Sequence, residues 1–149
     1  MLSKWALAAA VLAAAAAATS VLAQSDPIAT RMGLMKGNND NARNVLQMIR
    51  GQQPFDVAKV DAAFAQWAET AQKLPAQFPP GSTTGQKTRA APAIWDNKQD
   101  FDAKAAAFAK AVAENRAQAR QSLEALKVAF APVNDACDNC HKNYRLSQR

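Results

Sequence analysis

The stretch Ser122-Leu123-Glu124-Ala125-Leu126-Lys127-Val128-Ala129-Phe130-Ala131-Pro132-Val133-Asn134-Asp135-Ala136-Cys137-Asp138-Asn139-Cys140-His141-Lys142-Asn143-Tyr144, close to the C-terminus, decides the architecture. Its residues Leu123, Leu126, Phe130, Val133, Cys137, Cys140 and Tyr144 recur at steps of three and four, the spacing that puts side chains on one face of an α-helix. Ser122 is a favoured N-cap residue, and Glu124 brings a negative charge to the first turn, where the helix dipole stabilises it. Pro132 is the one local conflict, because it forfeits a backbone hydrogen bond and is expected to kink the helix just ahead of the cysteines. Both cysteines lie on the apolar stripe.

Working outward, three further segments carry the same period. Ser25-Asp26-Pro27 reads as a cap followed by the residue favoured at the first helical position, and the helix it opens, with Ile28, Met35, Ala42 and Ile49 seven apart, closes at Arg50-Gly51. A second helix starts at Asp56, carries Val57, Val60, Phe64, Trp67, Ala71 and Leu74 on one face, and is stopped by Pro75. From there to Pro92 the run through Phe78-Pro79-Pro80-Gly81-Ser82-Thr83-Thr84-Gly85 is turn-forming and reads as a long crossover loop. A third helix is expected from about Ile94 to Ala119, with Phe101, Ala105, Phe108, Val112 and Ala119 aligned. No long segment alternates with a period of two. Four amphipathic helices with short links at two junctions and a longer one in the middle predict an all-α fold, an antiparallel four-helix bundle.

The N-terminus reads differently. Lys4, the apolar run Trp5 to Ala18 and the small-residue site Val21-Leu22-Ala23 have the layout of a secretory signal, residues 1–23, leaving a single domain over 24–149. The alternative is a retained anchor, but the run is mostly Ala and has no basic stop-transfer flank. Cleavage places the chain outside the cytoplasm, in the periplasm, with no membrane association afterwards. Removing 23 of the 149 residues leaves 126, enough for one core, and losing Lys4 takes the formal charge from +6 to about +5. That excess is scattered, which argues against nucleic acid and for acidic redox partners or simple solubility.

Cys137-Asp138-Asn139-Cys140-His141 is the C-x-x-C-H pattern of covalent haem attachment. Two thiols three residues apart stand on adjacent points of one helical turn, where they can form thioethers with the two vinyl groups of a single porphyrin. His141, four residues after Cys137 on the same face, is then carried beneath the ring as an iron ligand. The competing readings are a disulfide, a zinc site and a pair of core cysteines. Zinc is the weakest of them, because a closed structural site wants four ligands and the chain holds two Cys and one His.

As the only histidine, His141 excludes a bis-histidine iron. The second axial position falls to another side chain, a small molecule or nothing. Among Met32, Met35 and Met48, Met35 lies on the stripe with Ile28, Ala42 and Ile49, where it is either a ligand or core filler. Arg31, one turn earlier, is either a solvated surface cation or a buried one that needs an anion, for which haem propionates are the obvious partners. Arg145, four residues after His141, reads as a neighbour of the imidazole or a propionate, or as part of a frayed basic C-terminus.

The motif at the extreme C-terminus, continuing through Lys142-Asn143-Tyr144-Arg145, together with Phe78, Pro92-Ala93-Ile94-Trp95 and Arg31 with Leu34-Met35-Lys36, resembles the class II cytochromes c, the cytochrome c' family. The resemblance implies a four-helix bundle, usually a homodimer, with one haem c packed inside and His141 as proximal ligand. It implies that Arg31 contacts a propionate and that Arg145 is the basic residue beside the proximal His. It also places Thr88 and Arg89 where the central loop approaches the haem edge. Met32 stands where many members have a Gln that makes a second propionate contact, a departure from the family pattern. Low-spin members use a Met of the first helix as sixth ligand, and Leu34-Met35-Lys36 looks like that branch. Five-coordinate members have a bulky apolar residue there, and some of them also have Met.

The leading expectation is thus a periplasmic electron carrier with His141 and Met35 on the iron. The alternative is a five-coordinate haem that binds nitric oxide or carbon monoxide, with Met35 as a lid. An enzyme is not expected, since spacing places no carboxylate pair, nucleophile or base beside the iron.

Overall fold

A computed structural model of the chain describes residues 26–83 and 88–147, so the expected signal segment, Ser25 and the loop residues Thr84 and Gly85 lie outside the described part. Helix α1 spans Pro27–Ile49. Asp26 caps it, its Oδ1 accepting from the Ile28 amide at 2.8 Å, with Pro27 in the first turn. It ends where Gly51, at φ +70°, turns the chain through a conformation that other residues seldom adopt; the Gly51 amide closes on Met48 O at 3.0 Å. Helix α2, Val57–Lys73, is capped by Asp56, whose side chain accepts from the Ala58 and Lys59 amides. Pro75 ends it as expected, and the chain tightens into a single 3-10 turn, Leu74–Gln77.

The expected third helix is two. Helix α3 is the short Ala93–Asp96 and α4 is Lys98–Ala119, separated by Asn97 at φ −133°, ψ 56°. Asn97 closes α3, its amide donating to Ala93 O at 3.0 Å, and its own carbonyl accepts from Phe101 to start α4. Helix α5, Leu123–Tyr144, is capped by Ser122 Oγ, which accepts from the Ala125 amide at 3.1 Å. It runs uninterrupted through Pro132. Pro132 and Val128, the residue whose carbonyl loses its partner, are both exposed, so water can satisfy the freed acceptor on the outer face.

The long helices form a ring in which α1 packs on α2, α2 on α4, α4 on α5 and α5 on α1, and large side chains of α2 and α5 meet across the diagonal. The α1–α5 pair touches least. At one end Val45, Met48, Phe64, Trp67, Phe108, Leu126 and Phe130 form the larger core, with Trp67 stacked on Phe130 at 5.6 Å and edge-on to Phe64 at 5.0 Å. At the other, Leu34, Leu74, Phe78, Ile94, Phe101 and Tyr144 form a second cluster, threaded by edge-to-face contacts of Phe78 with Trp95 and Phe101 and of Phe101 with Tyr144. The inward face of α1 is therefore wider than the seven-residue repeat: Met48 is fully buried, and Asp56 donates its amide to the sulfur at 3.4 Å. No described helix is long and apolar enough to cross a membrane.

Candidate functional site

Two cores leave a space between them. A cavity of about 330 Å³ is walled by Trp67, Phe108, Phe130 and Val133 of the larger core and by Leu74 and Phe101 of the smaller, and Cys137, Cys140 and His141 line it from α5. A second cavity, about 310 Å³, lies on the other side and is lined by Phe78, Ile94 and Tyr144, again with Cys140 and His141. Met35, Leu74, Phe101, Cys140, His141 and Arg145 border both. The weak packing of α1 on α5 has its counterpart here, since the two helices form facing walls of one crevice.

Each expected site residue reaches this crevice. The two thiols are free and half-buried. Burial, reinforced by Asp138, pushes the Cys137 thiol up to about 11, and burial also raises Cys140. Both therefore stay protonated at neutral pH. His141 is held below its ordinary value first by burial and then by the Arg145 charge, against a smaller pull from Asp138. Its imidazole is thereby kept neutral, the form that donates a lone pair to a metal. Among the described residues no cluster of three His, Cys, Asp or Glu could hold a metal ion by itself.

Arg31 is buried, not solvated, with 3% of its surface exposed. Its guanidinium donates to Gln77 O at 3.0 Å, Ser82 Oγ at 3.2 Å, Ser82 O at 2.8 Å and Thr88 Oγ1 at 2.9 Å, and lies 4.8 Å over the Phe78 ring. All four acceptors are neutral. Its Nε is buried with no hydrogen-bond partner, on a side chain that lines the second cavity. An anionic group entering that cavity would meet a buried guanidinium whose partners are all neutral, so the donor set fits a haem: two thiols and an imidazole on one turn of α5, a thioether across the crevice and a buried cation at its edge. Ser82, which no periodic signal marked, holds the guanidinium from a loop that sequence patterning shows only as irregular.

Arg89 also borders the second cavity, but its side chain is engaged elsewhere. Its Nε and one terminal nitrogen donate to Leu146 O at 3.0 and 2.7 Å, and the Leu146 amide donates to Arg89 O at 2.8 Å. With Ala91 donating its amide to Tyr144 O, these bonds tie the crossover loop to the end of α5. Arg145 is exposed and borders both cavities. Exposed Met32 lines the second.

Tyr144 closes the same end by donating its hydroxyl to Asp100 Oδ2 at 2.5 Å, a bond that pushes the phenol up to about 12. Since the folded value lies above the ordinary 10, the bond's contribution to stability is present below pH 10 and is lost as pH rises through 12. Tyr144 is the only tyrosine, so phenolate absorbance reports it alone. Its midpoint is expected near 12 and should fall towards 10 in Asp100→Asn; equal midpoints in the two proteins would remove the bond from the account.

A family model described as Cytochrome C' matches residues 26–145. Cytochrome c-556 of Rhodopseudomonas palustris is 38% identical over 133 residues, covering 86% of this chain and 88% of its own. Cytochrome c' of the same organism is 38% identical over 129 residues, covering 85% and 86%. The solved structure of cytochrome c' from Rhodopseudomonas palustris superimposes with a TM-score of 0.79 at 32% identity, over 85% of this chain and 100% of that one.

Proposed function

The chain belongs to the cytochrome c' family of electron-transfer or gas-binding haem proteins, and from that premise we propose that it is a periplasmic electron carrier whose single haem is bonded through Cys137 and Cys140, with His141 as proximal and Met35 as distal ligand. The observation that carries the reading is that Met35 is the one residue of α1 to border both of the cavities that His141 borders from α5. The haem, when bound, supplies an iron that takes up and releases one electron between its ferric and ferrous states.

The chain's own residues set the conditions. His141 is neutral and so available as a nitrogen donor. The soft Met35 thioether favours the ferrous ion and raises the potential. Leu74 and Phe101, shared by both cavities, give the crevice apolar walls. Arg31, fixed by four hydrogen bonds with its Nε free, is placed to receive a propionate. The packed cores on either side hold the two walls still, so that little need rearrange when charge arrives.

Absorption spectra of the ferric and ferrous holoprotein, with and without carbon monoxide, test this. A low-spin ferric spectrum with a sulfur-to-iron band and little carbon monoxide uptake is expected. A high-spin spectrum with ready uptake would instead make Met35 a lid and the protein a five-coordinate binder of nitric oxide or carbon monoxide. One observation favours that second reading: the first cavity runs past Met35 to Ala42 and Leu46, leaving apolar room on the α1 side.

A further inference from the structure

The second cavity opens on a face whose charge is one-sided. Of the fifteen residues that line it, Arg31, Lys36, Arg89 and Arg145 are cationic and none is acidic, in a chain with 18 basic and 12 acidic residues. Arg31 is consumed inside, but Lys36 and Arg145 are exposed and Arg89 is half-buried. Lys36 does reach Asp40 at 2.6 Å, yet both side chains are solvated and such a pair is easily exchanged. Arg89 and Arg145 make no ion pair among the described residues.

The same rim carries exposed apolar surface. Among the described residues the large hydrophobic side chains left open are Met32, Val57, Val128 and Leu146, and two of the four are here. Met32 lines the cavity, and Leu146 is pinned beside Arg89 by three hydrogen bonds. A small apolar spot beside cations, on a cavity lining that holds no acid, is the composition of a transient docking site: the charges orient the encounter and the apolar contact gives brief adhesion. The backbone ties of residues 89–91 to 144–146 hold it in one shape before a partner arrives.

Resting on the carrier reading above, we propose that the face formed by Met32, Lys36, Arg89, Arg145 and Leu146 is where electrons enter or leave, and that it docks a redox protein presenting an acidic cluster around an apolar spot. His141 and Cys140 line the cavity directly behind it, so a partner seated there would lie on the short route to the iron.

The test is stopped-flow oxidation of the ferrous holoprotein by hexacyanoferrate(III), an anion, and by tris(phenanthroline)cobalt(III), a cation, across a range of ionic strength. Wild type is compared with Lys36→Gln, Arg145→Gln and Arg116→Gln, with the potential of each variant measured so that rates refer to equal driving force. Arg116 is an exposed arginine about 22 Å further along α4 than Phe101, and its loss changes net charge equally. At low salt the anion should react about three-fold or more slowly with Lys36→Gln and with Arg145→Gln and at the wild-type rate with Arg116→Gln, the cation should show the reverse sense, and the differences should vanish at high salt. Equal slowing by all three variants, or no salt dependence, overturns the docking face. A high-spin wild type that takes up carbon monoxide would instead sink the carrier reading beneath it, so the two failures are told apart by the spectrum.

Discussion

Met35→Leu should turn a low-spin, sulfur-ligated iron into a high-spin one with an open position, visible as loss of the sulfur-to-iron band and as rapid carbon monoxide uptake by the ferrous form. Leu keeps the volume and hydrophobicity of Met and removes only the sulfur, so the substitution separates ligand from lid. If Met35 is a lid, Leu covers the site as well and nothing changes. The potential should fall as well. A hundredfold preference of the thioether for ferrous over ferric iron corresponds to about 120 mV in a one-electron couple, and a drop of that order is expected. Met35→Ala should produce the same spectrum with faster uptake. The fold should survive both changes, because Met35 is half-buried at the edge of the smaller cluster and the larger core, built on Met48, Trp67 and Phe130, lies beyond the crevice.

Local rules made most of the scaffold legible. Asp26, Asp56 and Ser122 are capping residues that cap, Pro75 stops a helix, and the stripes of α2 and α5 face inward except at Val57, which opens α2 in its first turn and is exposed. Asn97 escaped because Ile94 and Phe101 are seven residues apart, so the apolar repeat passes over a one-residue break in which φ and ψ leave the helical region at Asn97 alone. The signal was there in the residue type, since Asn favours exactly such half-helical positions over helix interiors. Met48 escaped for a different reason: a seven-residue repeat samples one line of a face that here is broad enough to feed two cores.

At the site, Cys137, Cys140 and His141 were readable because one turn of helix fixes their mutual geometry whatever the rest of the chain does. Met35 was readable only as one of two possibilities. What sits across the crevice from it depends on how α1 and α5 are held apart, which is settled by packing between segments roughly a hundred residues apart in the chain. Arg31 is the extreme case. Its four acceptors lie 46 to 57 residues away in a segment without periodicity, so no local pattern could reveal whether the guanidinium was solvated or enclosed.

That enclosure makes Arg31 the residue whose loss should damage stability most. Arg31→Leu removes four hydrogen bonds and leaves Gln77 O, Ser82 O, Ser82 Oγ and Thr88 Oγ1 without their guanidinium donor in a partly to fully buried site. Each neutral acceptor that stays buried without a donor costs about 1–3 kcal/mol, so the loss is a large share of the 5–15 kcal/mol that holds a domain together. Denaturant unfolding of the ferric holoprotein should show it as a lower midpoint at unchanged slope. Arg31→Lys should recover less than half of the loss. A single ammonium cannot reproduce the planar fork that spans Gln77, Ser82 and Thr88, and it gives up the stacking on Phe78. Ser82→Ala, which deletes one acceptor and leaves the guanidinium three, should cost only about 1 kcal/mol. The opposite result is physically possible, because burial opposes the charge of Arg31 and lowers its proton affinity, and a well-packed Leu escapes that penalty. A loss below about 1 kcal/mol in Arg31→Leu would mean that the buried cation contributes little to the fold, and that its place at the cavity is explained by the anion it receives.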